Sequence, residues 1–141
     1  MGVPVPVAKV FAFFSDAANL PRITPPGFAL QITSPLPVLM EKGTILDYRI
    51  RLLGIPVHWQ SLIARWEPPR LFTDEQLSGP YKSWVHVHRF QELSAGTIIE
   101  DEVEYSLPCF QLGELAHPWV RRQLRRLFYF REQAIKRILL P

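Results

Sequence analysis

Two histidines stand one residue apart in an alternating stretch, Trp84-Val85-His86-Val87-His88-Arg89-Phe90. On a strand this spacing turns both imidazoles to the same face. Two aspartates fall within reach of that face once the neighbouring turns are closed. Closing the turn from Ser78 to Lys82 puts Asp74 near His86, and closing the turn from Leu93 to Gly96 puts His88 near Asp101. Glu100, Glu102 and Glu104 alternate on the opposite side and mark it as the solvent face. The histidines and aspartates therefore look inward, among Phe72, Trp84, Phe90 and Tyr105. A buried carboxylate or imidazole costs several kcal/mol unless it is paired. Mutual His–Asp pairing inside a core is the economical arrangement. A polar lining that meets a ligand is the next, followed by general acid/base chemistry, for which His beside Asp has a suitable pKa range. His86-x-His88 with Asp74 or Asp101 could also ligate a metal, but His-x-His on a strand is a weak signal. No metal and no cofactor is assigned from the sequence.

Other reactive arrangements are absent. Cys109 is the only cysteine and has no histidine close in sequence, so it reads as inert and excludes an internal disulfide. A reducing, cytoplasmic setting is expected. Seven glycines include no phosphate-binding loop. Aromatics do not interleave with basic residues on the strands, so nucleic acid is not an expected partner. Arg131 falls on the inner side of the last helix, where it either snorkels to the helix edge or holds a ligand oxygen or an inward aspartate.

The elements that position these residues follow from the punctuation of 14 prolines. Pro4 and Pro6 precede a short helical stripe of Val7, Val10, Phe11 and Phe14, and Asp16 can cap a second short helix over Asn19–Ile23. Strands are expected over Phe28–Thr33, Thr44–Leu53, Val57–Trp66, Leu71–Leu77, Tyr81–Leu93 and Thr97–Leu107. Within Val57–Trp66 the residues Val57, Trp59, Ser61 and Ile63 are placed inward, with Gln60, Leu62 and Ala64 as the alternative set. A helix from about Leu112 to Leu140 presents Ala116, Val120, Leu124, Leu127, Phe130, Ala134 and Ile138 on one stripe, with His117-Pro118 in its first turn. The class is α+β: two short helices, an antiparallel meander of about six strands, and one long helix. One helix cannot cover so wide a sheet, which leaves a cavity between them.

At 141 residues, 48% hydrophobic and 21% charged, the chain reads as one globular domain over residues 1–141. No run reaches the ~18 to 20 apolar residues of a membrane span, and no signal peptide is read at the N-terminus. Charge is uneven. Gly113 to Pro141 holds seven Arg/Lys and two Glu, net +5, while Met1 to Leu112 holds nine against eleven, net −2. A basic helix can meet an anionic membrane or an acidic partner, or simply be a solvated face.

Several blocks resemble the SRPBCC (START-like, Bet v 1-like) superfamily, in its bacterial ligand-binding branch of cyclase/dehydrase-like and coenzyme Q-binding-like proteins. The blocks are Val10-Phe11-Ala12-Phe13-Phe14-Ser15-Asp16-Ala17-Ala18-Asn19-Leu20, Gly54-Ile55-Pro56 before Trp59, Trp66-Glu67-Pro68, and Gly79-Pro80-Tyr81-x-x-Trp84-x-His86-x-His88-x-Phe90. Phe128-x-x-Arg131 completes them. The resemblance implies a helix-grip fold, a curved sheet around the last helix, and a cavity for a lipid, isoprenoid quinone or polyketide-like molecule. Two departures stand out. Only six residues precede Val7, two of them prolines, so the usual first strand is expected to be missing, leaving Thr97–Leu107 and Phe28–Thr33 as open edges and a homodimer as one way to close them. Cys109-Phe110-Gln111 replaces the glycines usual before the last helix.

The leading expectation is a binding domain rather than an enzyme. Its ligand-binding set is Tyr48, Trp59, Asp74, Trp84, His86, His88, Phe90, Asp101, Tyr105, Leu127 and Arg131. The first alternative is a cyclase or dehydratase with His86, His88, Asp74 and Asp101 as candidate catalytic residues. The second is a protein that docks on a membrane or partner through its basic last helix.

Overall fold

The computed structural model describes residues 1–140, apart from the side chains of Phe110 and Gln111. Seven strands form one antiparallel sheet in the order β1-β7-β6-β5-β4-β3-β2. They are β1 (Gly2–Val3), β2 (Gln31–Ile32), β3 (Ile45–Leu52), β4 (Ile55–Glu67), β5 (Leu71–Ser78), β6 (Ser83–Leu93) and β7 (Gly96–Ser106). Between β1 and β2 come helix α1 (Val7–Ser15) and two 3-10 segments, Ala17–Ile23 and Pro26–Phe28. Helix α2 (Phe110–Leu139) ends the chain and grips the sheet.

Local chemistry explains most boundaries. Pro6 occupies the N-cap of α1, where its missing N–H is no loss. The Asp16 carboxylate accepts from the Ala18 amide at 3.0 Å and starts the first 3-10 segment. Alternation on β3 buries Leu46 and Ile50, and on β4 it buries Trp59, Ser61 and Ile63, which settles the inward face of that strand. Register shifts at Gln60/Ser61 and Ile63/Arg65 interrupt the β4–β5 ladder, and such irregularities bend a sheet.

The first strand is not missing. Gly2 pairs with Ile98 and Val3 with Thr97, and the Ile99 amide donates to the Met1 carbonyl at 2.8 Å. The Thr97 hydroxyl donates to the Val5 carbonyl at 2.7 Å, and Val3 and Val5 are buried. Gly96 lets this happen. Its φ is +148°, and a Cβ there would run into the Val3 carbonyl oxygen. The expected open edge of β7 is thus covered as far as Ile99. Among the described residues, no strand pairs with the outer side of Glu100–Ser106.

Three further expectations shift. The strand expected over Phe28–Thr33 is only Gln31–Ile32, because Pro26–Phe28 forms a 3-10 turn closed by Ala29 at φ +44°. Helix α2 starts at Phe110, behind Cys109 at φ +59°, so Pro118 lies in its interior rather than its first turn. Its buried face carries Val120, Arg131, Ala134, Ile135 and Leu139, while Ala116 is exposed.

The apolar interior has two parts. One gathers Val3, Val5, Val10, Phe11, Phe72, Phe90, Ile99 and Ile135 into a closed cluster. Phe11 sits at its centre, with ring centroids 5.1 Å from Trp66, 6.0 Å from Phe72 and 5.4 Å from Phe90. Each such side chain, fully buried, contributes about 1.5–3 kcal/mol. The other part has only Ile50, Trp59 and Trp84 fully buried, with Tyr48, Tyr81, Tyr105 and Leu124 half-buried around them.

Candidate functional site

A cavity of about 160 Å³ lies between the sheet, α2 and the 3-10 segments, and is partly open to solvent. Tyr48, Trp59, Asp74, Trp84, His86, His88, Leu127 and Arg131 line it. Three residues of the expected set do not. Phe90 belongs to the closed cluster, 5.1 Å from Phe14 between ring centroids. The Tyr105 ring stacks on His117 at 5.7 Å with the planes 13° apart. Asp101 faces a separate groove between β7 and α2. The sequence reading missed Phe14, Leu20, Phe28, Leu30, Met40 and Phe128, which also line the cavity. Most of these come from the segments before β3. The apolar residues Leu20, Phe28 and Leu30, set among prolines, were the available signal.

The register places Asp74 opposite His86 and His88 opposite Asp101, as the turns imply. The shortest contacts run diagonally instead. His88 Nε2 lies 2.7 Å from Asp74 Oδ2, and His86 Nε2 lies 2.9 Å from Asp101 Oδ1. Sheet twist swings diagonal neighbours together in this way. The cycle closes through His86 Nδ1, 3.8 Å from Asp74 Oδ2, and His88 Nδ1, 3.0 Å from Asp101 Oδ1. That last approach is short but off the hydrogen-bond direction, so His88 Nδ1 has no hydrogen-bond partner. The imidazole centroids lie 3.8 Å apart with the planes tilted by 33°, and Phe72 stacks on the His88 ring at 4.1 Å. The histidine side chains are 5% and 7% exposed and the aspartates 18% and 19%, so all four groups interact at short range in a poorly hydrated space.

Burial alone would raise Asp101, but the His86 bond and the close approach of the His88 imidazole outweigh it and hold the carboxyl well below the usual range. Asp74 is lowered in the same way: burial works against ionisation, and the His88 bond, the imidazole charges and the Arg131 charge override it. Burial works against charge on His88 too, but its contacts with Asp101 and Asp74 raise its pKa. His86 is lowered, by burial first and by the charge on His88 second. Of the pair, His88 is the imidazole whose surroundings favour the charged form.

Two donors face the cavity near this cluster. Arg131 is 8% exposed, and its Nε donates to the Ile23 carbonyl at 3.4 Å. Its guanidinium carbon lies 5.3 Å from the Phe128 ring centroid. No carboxylate of the described residues lies within 4.0 Å of it. Tyr48 stacks on Trp59 at 5.7 Å. Burial, and after it the charge of Asp74, raises its hydroxyl above the ordinary value, so it remains a neutral donor.

The sequence profile of the family described as "Polyketide cyclase / dehydrase and lipid transport" matches residues 3–128. The chain belongs to this family, within the SRPBCC superfamily. Solved structures with the same fold include TTHA0849 from Thermus thermophilus, with TM-score 0.78, 15% identity, and coverage of 99% of this chain and 93% of that one. Another is ginseng major latex-like protein 151 from Panax ginseng, at TM-score 0.69 and 12% identity, covering 100% of this chain and 94% of that one. CV1439 from Chromobacterium violaceum aligns at TM-score 0.75 and 12% identity, covering 100% and 94%. At these identities the likeness concerns the fold. No curated protein matches the chain.

Proposed function

We propose that the chain binds an apolar small molecule with an anionic or hydrogen-bond-accepting end in the cavity between sheet and α2. The observation that carries this reading is Arg131, a nearly buried cation with no carboxylate of the described residues within 4.0 Å, coupled only through space to Asp74 on the wall of an otherwise mainly apolar cavity. A guanidinium so placed interacts most favourably with a ligand oxygen. Tyr48 supplies a second donor, and Trp59, Trp84 and Leu127 supply apolar wall. An apolar cavity of about 150 Å³ takes a benzene ring, so the enclosed space suits one ring of a quinone or polyketide-like molecule, with any tail leaving by the mouth. A cytoplasmic site of action fits a chain whose only cysteine, Cys109, is free and exposed.

Native mass spectrometry of the purified protein tests the reading. A bound small molecule is expected, and Arg131→Gln should lose it while keeping a cooperative thermal transition. Protein that carries no ligand, and whose tryptophan fluorescence is unmoved by quinones or by aromatic carboxylic acids, would overturn it.

A membrane reading is favoured by one further observation. Leu112, Leu115 and Trp119 are 70%, 80% and 44% exposed on α2, in the same half of the helix as Arg121, Arg122, Arg125 and Arg126. Apolar residues beside arginines suit the interface of an anionic bilayer. No helix of the described residues is long and apolar enough to cross one. Co-sedimentation with phosphatidylserine vesicles, steeply reduced by salt and lost in Trp119→Ser, is the expected result.

A further inference from the structure

The His/Asp cluster has the arrangement of a metal site with its supporting partner already in place. We propose that Asp74, His86 and His88 bind one first-row divalent transition ion, with Asp101 holding both imidazoles from behind and the cavity supplying the open coordination position. The proposal is independent of the ligand assigned to the cavity, and its test reads the metal alone.

Geometry carries it. Asp74, His86 and His88 each offer a donor atom within 4.8 Å of the others. Asp74 Oδ2 lies 3.8 Å from His86 Nδ1 and 2.7 Å from His88 Nε2. With metal–ligand bonds near 2.1 Å, donors in a tetrahedral site stand roughly 3.4 Å apart. The two observed separations bracket that value and the third pair stands within 4.8 Å, so side-chain shifts of roughly half to one and a half ångströms close the site.

The second observation is what stands behind the rings. A ligating histidine nearly always gives its other N–H to a carboxylate or carbonyl, which fixes the tautomer and aims the lone pair. Here the nitrogens pointing away from Asp74 are His86 Nε2 and His88 Nδ1. They lie 2.9 Å and 3.0 Å from the same oxygen, Asp101 Oδ1. The His88 nitrogen is the one left without a hydrogen-bond partner. Moving His88 Nε2 from the Asp74 oxygen onto an ion frees the ring to turn that N–H onto Asp101. Two carboxylates and two neutral imidazoles carry a charge that one divalent ion cancels.

Access and chemistry agree. Asp74, His86 and His88 line the cavity, whereas Asp101 faces the other groove. An ion held by the first three would therefore meet whatever occupies the cavity. Two histidines and one carboxylate with open positions suit zinc or ferrous iron, and cobalt(II) reports on both.

The test is a cobalt(II) titration of chelator-treated full-length protein, followed by visible ligand-field absorption. One equivalent should bind with bands of four- or five-coordinate intensity, and zinc should displace it. Asp74→Asn should abolish the bands. Asp101→Asn should weaken binding about 10–100-fold. His58→Ala, which alters the exposed His58–Asp47 pair, should change nothing. Zinc X-ray absorption on the wild type, which needs no variant to fold, should show two imidazoles. Absent bands, bands lost in His58→Ala but kept in Asp74→Asn, or fewer than two imidazoles would overturn the site and leave a cluster that satisfies only itself.

Discussion

The two halves of the interior use aromatic residues in opposite ways. Around Phe11, the rings of Phe72, Phe90 and Trp66 meet edge to face or tilted, and of these only Phe72 reaches the cavity wall. Around Trp59, the rings of Tyr48, Tyr81 and Trp84 also meet, yet most residues there stay half-buried and leave a cavity. The difference lies in polar tips and in cover. Phenylalanines can pack against β1, α1 and the end of α2 from every side. Tyrosines and indoles need partners, as Trp59 Nε1 finds in Ser61 Oγ at 3.1 Å, and such needs hold the walls in place and apart. The His/Asp cluster marks the border: His88 stacks on Phe72 of the closed half, and His86 lies 6.3 Å from Trp84 of the open one.

The contrast can be broken by mutation. Phe90→Ala in the closed half should cost about 3–5 kcal/mol, measured by urea unfolding, because nothing can collapse into the hole. At the border, Asp101→Ala should cost about 1–3 kcal/mol by leaving buried imidazole nitrogen unpaired.

That border effect has a defined pH window in chelator-treated protein. Asp101 is lowered in the fold, so its contribution is complete above about pH 4 and is lost as pH falls through the folded value. His88 is raised, so its contribution is complete below about pH 6.5 and is lost as pH rises through its folded value. The stability gap between wild type and Asp101→Ala should therefore peak between about pH 4 and 6.5. A gap that is flat with pH would remove the ion pairing from the account. The smallest effect is expected in the open half. Leu127→Ala, on a wall that already borders empty space, should cost about 1 kcal/mol. A cost equal to that of Phe90→Ala would erase the distinction between the halves.

The sequence showed the meander, and for β5, β6 and β7 also the register and the inward face. Tight turns leave little freedom in pairing, and Glu100, Glu102 and Glu104 mark one side unambiguously. It did not show β1. Two residues carry no periodicity, and their pairing depends on Gly96, Thr97 and Ile99, far along the chain. The cavity wall was legible where it comes from strands and poorly legible where it comes from 3-10 segments, whose short turns repeat no pattern. Phe90 was misplaced for a related reason. Alternation tells which face of the sheet a residue is on, but not which half of that face lies open. The diagonal partners of the two aspartates came from twist, which a flat register does not contain.

Pro118 inside α2 has a consequence for time as well as shape. It offers no N–H to the Glu114 carbonyl, so the helix lacks one rung there. Before it, Leu112, Leu115 and Ala116 are exposed; beyond it, Ala134, Ile135 and Leu139 are locked into the closed half. The helix is thus firmly seated at one end and loosely seated at the other. Amide hydrogens of the first turns should exchange with solvent water far sooner than those after Arg131, by local opening rather than global unfolding. Such openings recur many times within the lifetime of a single folded chain, while the α2 residues that line the cavity, Gln123 to Arg131, lie beyond the proline.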